Sequence, residues 1–105
     1  MAKHTRKSPG GTSFHNTTLY ATVEELVALF PYSFTEENTG RDKTNYDFVL
    51  ETESGDVFTI YDWKYYRPLL STERLMWNIG GHKKEITVQA KLEVEALLSE
   101  MRVLK

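Results

Sequence analysis

The chain has 105 residues, 40% apolar and 27% charged, which suffices for one hydrophobic core and excludes both wholesale disorder and a fibrous repeat. It contains no cysteine, so disulfide frameworks, thiolate metal sites and cysteine nucleophiles are excluded. The net charge of −2 hides an asymmetry: Lys3, Arg6 and Lys7 place three of the thirteen cations and none of the fifteen acids in residues 1–15, so the remainder is acidic and a poor general binder of polyanions.

Residues 1–17 combine Ser-Pro-Gly-Gly with scattered charge and only Phe14 as a large apolar group, which reads as a flexible basic arm preceding a single α+β domain over residues 18–105. Thr22-Val23-Glu24-Glu25 has the form of a capping box, and Val23, Leu26, Val27 and Phe30 fall on one helical face before Pro31 ends the element. The polar, turn-rich stretch between Phe34 and Asn45 reads as an exposed loop. Tyr46 to Thr52 and Val57 to Trp63 alternate around Glu53-Ser54-Gly55-Asp56, which predicts a β-hairpin with Phe48, Leu50, Phe58 and Ile60 on its core side and Tyr61 and Trp63 turned the other way.

Leu75 to Ile79 supplies a third strand ahead of Gly80-Gly81. From Ile86 to Met101 the apolar residues Ile86, Ala90, Val94, Leu97 and Met101 recur at helical spacing, with Glu93, Glu95 and Glu100 left to solvent. The expected architecture is α+β: a short antiparallel sheet of about three strands packed against a C-terminal amphipathic helix, with a short N-terminal helix at its edge. No apolar run approaches the roughly 20 residues of a membrane span, and none follows the charged N-terminus, so a soluble cytoplasmic chain with neither span nor signal peptide is expected.

Two stretches concentrate chemistry. Tyr61 to Pro68 holds four of the thirteen aromatic residues with two cations, so Trp63, Lys64, Tyr66 and Arg67 have the composition of a stacking platform or of a protein-binding hot spot. The competing reading packs Tyr61 and Trp63 beneath the helix. Gly80, Gly81, His82 and Lys83 stand directly before the last helix, where exposed amides, the helix dipole and the positive charge of His82, Lys83 and Lys84 would form an anion cradle; the competing reading is a tight turn with solvated lysines.

The three histidines form no metal-ligand spacing, so neither a metal nor a cofactor is expected. Asp62 with His82 is the one acid/base combination worth naming, and without a nucleophile motif the chain reads as a non-enzyme.

The strand ending Ile60-Tyr61-Asp62-Trp63-Lys64 and the later Trp77-Asn78-Ile79-Gly80-Gly81, followed by a final helix, resemble a pattern in small bacteriophage accessory proteins. The resemblance covers roughly residues 44–100; Asn78 stands where the commonest form of the pattern has His. It implies a virus-encoded accessory protein in the host-cell cytoplasm, acting against a host defence. The expected function is a binding module that sequesters a small anionic ligand, such as a nucleotide signal, or blocks a host protein. The alternative is an assembly protein whose exposed aromatics form a subunit interface, and at least a dimer is expected. Nucleic acid is expected to bind only weakly, through Lys3, Arg6 and Lys7.

Overall fold

The hairpin expected around Gly55 is the centre of a larger sheet. A computed structural model describes residues 1–36, 46–62 and 72–103. Its elements in chain order are β1 (Lys3–His4), β2 (Ser13–Thr22), α1 (Val23–Leu29), β3 (Phe34–Glu36), β4 (Tyr46–Glu51), β5 (Val57–Tyr61), β6 (Arg74–Gly81) and α2 (Lys84–Val103). The strands form one antiparallel sheet in the order β1-β4-β5-β6-β2, with β3 also on β4. Among the described residues six strands thus stand where about three are expected. The difference lies in β1 and β2, whose partners are far away in sequence, and in β3, whose three residues pair with β4 where a loop is expected to begin.

Phe48 and Leu50 on β4, Phe58 and Ile60 on β5, Leu75, Trp77 and Ile79 on β6, and Leu19 and Ala21 on β2 all point to one side of the sheet and are buried. Both helices cover that side. Thr22 caps α1 as its sequence predicts: Glu25 N donates to Thr22 Oγ1 and Thr22 N donates to Glu25 Oε1, each at 3.0 Å. Val23, Leu26 and Phe30 enter the core, with Val27 packed against it. On α2 the buried face runs through Thr87, Ala90, Val94 and Leu98, while Ile86 and Leu97 flank it.

Glu93 departs from its expected place in solvent. It is buried, and its carboxylate accepts from Glu53 N (2.9 Å) and from Gln89 Nε2 (3.0 Å). A buried carboxylate needs such donors, and the hairpin loop supplies one of them.

The flexible arm over residues 1–17 is also corrected. Lys3 and His4 pair with Glu51 and Leu50, Ala2 joins the core, and Ser13 to Thr17 already belong to β2. Because β1 and β2 occupy opposite sides of the strand order, residues 5–12 must traverse the sheet, a span of roughly 19 Å at the usual strand spacing. Lys7 Nζ donates to the Gly55 carbonyl (2.6 Å) on the way. The Ser-Pro-Gly-Gly stretch is a defined turn: Thr12 N donates to the Pro9 carbonyl (3.1 Å), and Gly11 has φ of 83°, a conformation that suits glycine at the third position of a type II turn.

β2 and β6 lose register between Phe14 and Thr17, where His15 and Asn16 form a bulge and Asn16 has φ of 65°. Lys84 Nζ donates to the His15 carbonyl (2.8 Å), and His15 Nε2 donates to the Gly81 carbonyl (3.1 Å). Thr87 Oγ1 donates to the Lys84 carbonyl (2.6 Å), so in the buried Thr17–Thr87 pair (2.7 Å) Thr17 is the donor. Lys84 therefore stands at a helix N-terminus because the bulge needs its ammonium. Lys84→Met should move global stability by less than about 1 kcal/mol, since the lost hydrogen bond is offset by relief of an unfavourable dipole interaction. Hydrogen exchange at residues 14–17 should nevertheless accelerate; unchanged exchange there would show that Lys84 does not hold the bulge.

Candidate functional site

The strand register fixes where the chain leaves β5 and where β6 ends. The chain leaves β5 at Tyr61, which faces Asn78, whereas β6 ends at Gly81, which faces Phe58. These exits lie at opposite ends of an antiparallel pair. Asp62 and His82 are kept apart by the same geometry, roughly 15 Å along the strands, and do not form an acid/base pair. Trp63, Lys64, Tyr66 and Arg67 lie outside the described residues.

Gly80 and Gly81 belong to β6 itself and are buried, with partners on both neighbouring strands: Gly80 faces Phe14 and Thr59, and Gly81 faces Ser13 and Phe58. This corrects the amide cradle, because backbone groups of a central strand are engaged in its ladders. The glycines are needed for space. A Cβ on Gly80 would lie 2.6 Å from Thr59 Oγ1, and one on Gly81 2.9 Å from Thr87 Cγ2. His82 and Lys83 follow as exposed residues, His82 beside the Gly11 turn.

On the helix-free side, Gly80, Thr59, Tyr61 and Asp47 line a hollow of about 340 Å³ that Pro9, Thr12 and Ser13 partly close. Its electrostatics oppose an anion. Loss of hydration and then the Asp62 charge hold the Asp47 carboxyl above its ordinary value, although the residue keeps much of its surface open. The Tyr61 phenol is raised by burial and then by Asp47. Asp62, fully buried, accepts from Tyr46 N at 2.6 Å.

A second hollow, of about 330 Å³, lies where the C-terminal half of α2 runs beside β2. Leu19 and Leu98, both buried, form its floor. Arg74 of β6 and Lys91 and Arg102 of α2 bring three cations to it against the single acid Glu95, with Tyr20 and Ser99 completing the wall. Arg102 is held in place by Glu25: Nε donates to Oε2 (2.7 Å) and Nη2 to Oε1 (3.1 Å). This fork, outweighing the cost of burial, lowers the Glu25 carboxyl to about 2 and raises the Arg102 guanidinium. The charge of Arg74 also acts on the Glu25 carboxylate, whereas Lys91 makes no hydrogen bond or ion pair among the described residues.

The groove escapes sequence inspection because its cations come from positions 74, 91 and 102, and only Lys91 and Arg102 share a visible periodicity. Among the described residues no three His, Asp or Glu side chains gather as a metal cluster would, and no helix is long and apolar enough to cross a membrane. Comparison with protein-family models, with curated proteins and with solved structures gave no match.

Proposed function

We propose that the protein is a non-enzymatic binding module that holds an anionic ligand in the groove between α2 and β2. The observation that carries this reading is the convergence of Arg74, Lys91 and Arg102, from β6 and α2, on one hollow of an otherwise acidic chain, where Glu95 on the wall and Glu25 behind it leave an excess of positive charge. Such an excess attracts and orients a negatively charged group. The resemblance to small bacteriophage accessory proteins supports a role inside an infected bacterium, where sequestering such a ligand or occupying a host protein would be the useful act. Trp77, Ile79, Gly80 and Gly81 of that pattern are buried in the core or the ladder, so their shared spacing is accounted for by packing.

Thermal melting with pyrophosphate, mono- and cyclic nucleotides and glutamate-rich peptides tests the reading. An anion at a hundredfold its dissociation constant should stabilise the protein by about 2.7 kcal/mol. The double variant Arg74→Glu/Lys91→Glu should melt close to wild type and lose that shift. If no anion shifts the melt, the groove is not an anion site.

A second reading, assembly through exposed apolar residues, is favoured by one pair. Tyr20 and Met76 face each other across β2 and β6 on the helix-free side and are 60% and 43% exposed. Sedimentation at micromolar concentration is expected to show a dimer or larger species that Tyr20→Lys/Met76→Lys dissociates. A monomer throughout that range would remove this reading and leave the groove untouched.

A further inference from the structure

We propose that the groove takes an extended acidic peptide segment of a partner protein, which adds to β2 as a further strand; this rests on reading the groove as an anion site. β2 ends the strand order, and no described strand pairs with its outer side. The polar groups toward its two ends are engaged: Lys84 Nζ holds the His15 carbonyl at 2.8 Å, and the Glu25 carboxylate holds the Thr22 amide at 3.0 Å. Between them, residues 18–20 present backbone whose one side-chain hydrogen bond among the described residues is a long one, Arg102 Nη2 to the Tyr20 carbonyl at 3.3 Å. The ends are closed and the middle is open.

α2 stands beside this open stretch as a wall. A peptide laid between a sheet edge and a helix gains main-chain hydrogen bonds from the edge, while alternate side chains read the wall. Here the wall offers charge: Lys91 and Arg102 stand on α2 and Arg74 lies near the end of the edge, while Leu19 and Leu98 are already fully buried beneath. A strand alternating apolar and acidic residues turns all its acids toward α2 and all its apolar side chains toward the helix-free side, where Tyr20 is exposed. A free phosphate or nucleotide would use the cations but leave the strand edge unsatisfied, so the peptide uses more of what the groove presents. Glu95, the one acid on the wall, tempers affinity for acids, so Glu95→Gln should tighten binding a few-fold.

The test titrates labelled wild-type protein with a capped hexapeptide alternating valine and glutamate, and follows amide hydrogen exchange. The acidic peptide should bind and slow exchange at residues 18–20. The same peptide with glutamine for glutamate should bind about tenfold more weakly or worse. Of two peptides N-methylated on alternate residues, one set on each edge, one should bind like the parent and the other should fail, because only one edge meets β2. Arg74→Glu/Lys91→Glu should prefer a valine–lysine peptide. Acidic-peptide binding that leaves exchange at 18–20 unchanged and tolerates both methylated forms would overturn strand addition, as would binding of pyrophosphate without binding of the peptide; either result leaves the anion site standing. Binding of no anion at all would overturn both.

Discussion

Replacing Trp77 with alanine is expected to cost about 3–5 kcal/mol, a large share of the 5–15 kcal/mol typical of a domain this size. Trp77 is the largest fully buried side chain among the described residues and sits on β6 between the sheet and α2. Its ring meets Phe48 edge-on with centroids 5.9 Å apart and Tyr46 at 6.5 Å, and its Nε1 donates to the Ala21 carbonyl at 2.9 Å. Truncation removes the packed ring, leaves a cavity and withdraws a donor from a buried carbonyl. Trp77→Phe separates these contributions: it keeps much of the volume, lacks the N–H, and should cost clearly less than the alanine variant. Urea denaturation of the two proteins measures the difference. A loss below about 1 kcal/mol for Trp77→Ala would contradict the burial of the indole.

The second large effect is acid sensitivity through Glu25. Its carboxyl lies at about 2 in the folded chain against an ordinary 4.5, chiefly because of the Arg102 fork. The stabilisation is therefore fully present above about pH 4.5, is lost as the pH falls toward 2, and is gone below it. Because the Arg102 side chain is 37% exposed, solvent screens the pair, and the contribution is expected at about 1–3 kcal/mol. Glu25→Gln should be less stable than wild type at pH 7, and the gap between the two urea-derived stabilities should close between pH 5 and pH 2. Parallel curves across that range would mean that the fork does not form. The same carboxylate also accepts from the Thr22 amide, so Glu25→Ala removes both the reciprocal half of the α1 cap and the tie from α1 to the end of α2.

Local signals survived translation into structure, and signals needing distant partners did not. The α1 cap and the β4–β5 hairpin are each written in one short continuous stretch, the longer of them Tyr46 to Tyr61, and both form. β2 was illegible because it sits at an edge: Ser13, Phe14 and Asn16 are exposed, the bulge at His15 and Asn16 interrupts alternation, and the partner strand is more than fifty residues away. Gly80 and Gly81 resemble punctuation in a sequence, yet their function in the ladder depends on Thr59 and Thr87, which approach only in the folded chain. Glu93 looked like a solvent-facing helical acid because its donor, Glu53 N, lies forty residues earlier. The groove was hidden for the same reason, since its cations acquire a common neighbourhood only when α2 lies along β2.

The most direct test of the central claim is isothermal titration of wild type and of Arg74→Glu/Lys91→Glu with the valine–glutamate hexapeptide and with pyrophosphate, each at low and at physiological salt. Wild type should bind an anion measurably and less tightly as salt rises, and the double variant should lose that binding while its melting temperature stays near that of wild type. Equal affinity in the two proteins, or binding indifferent to salt, would contradict that claim.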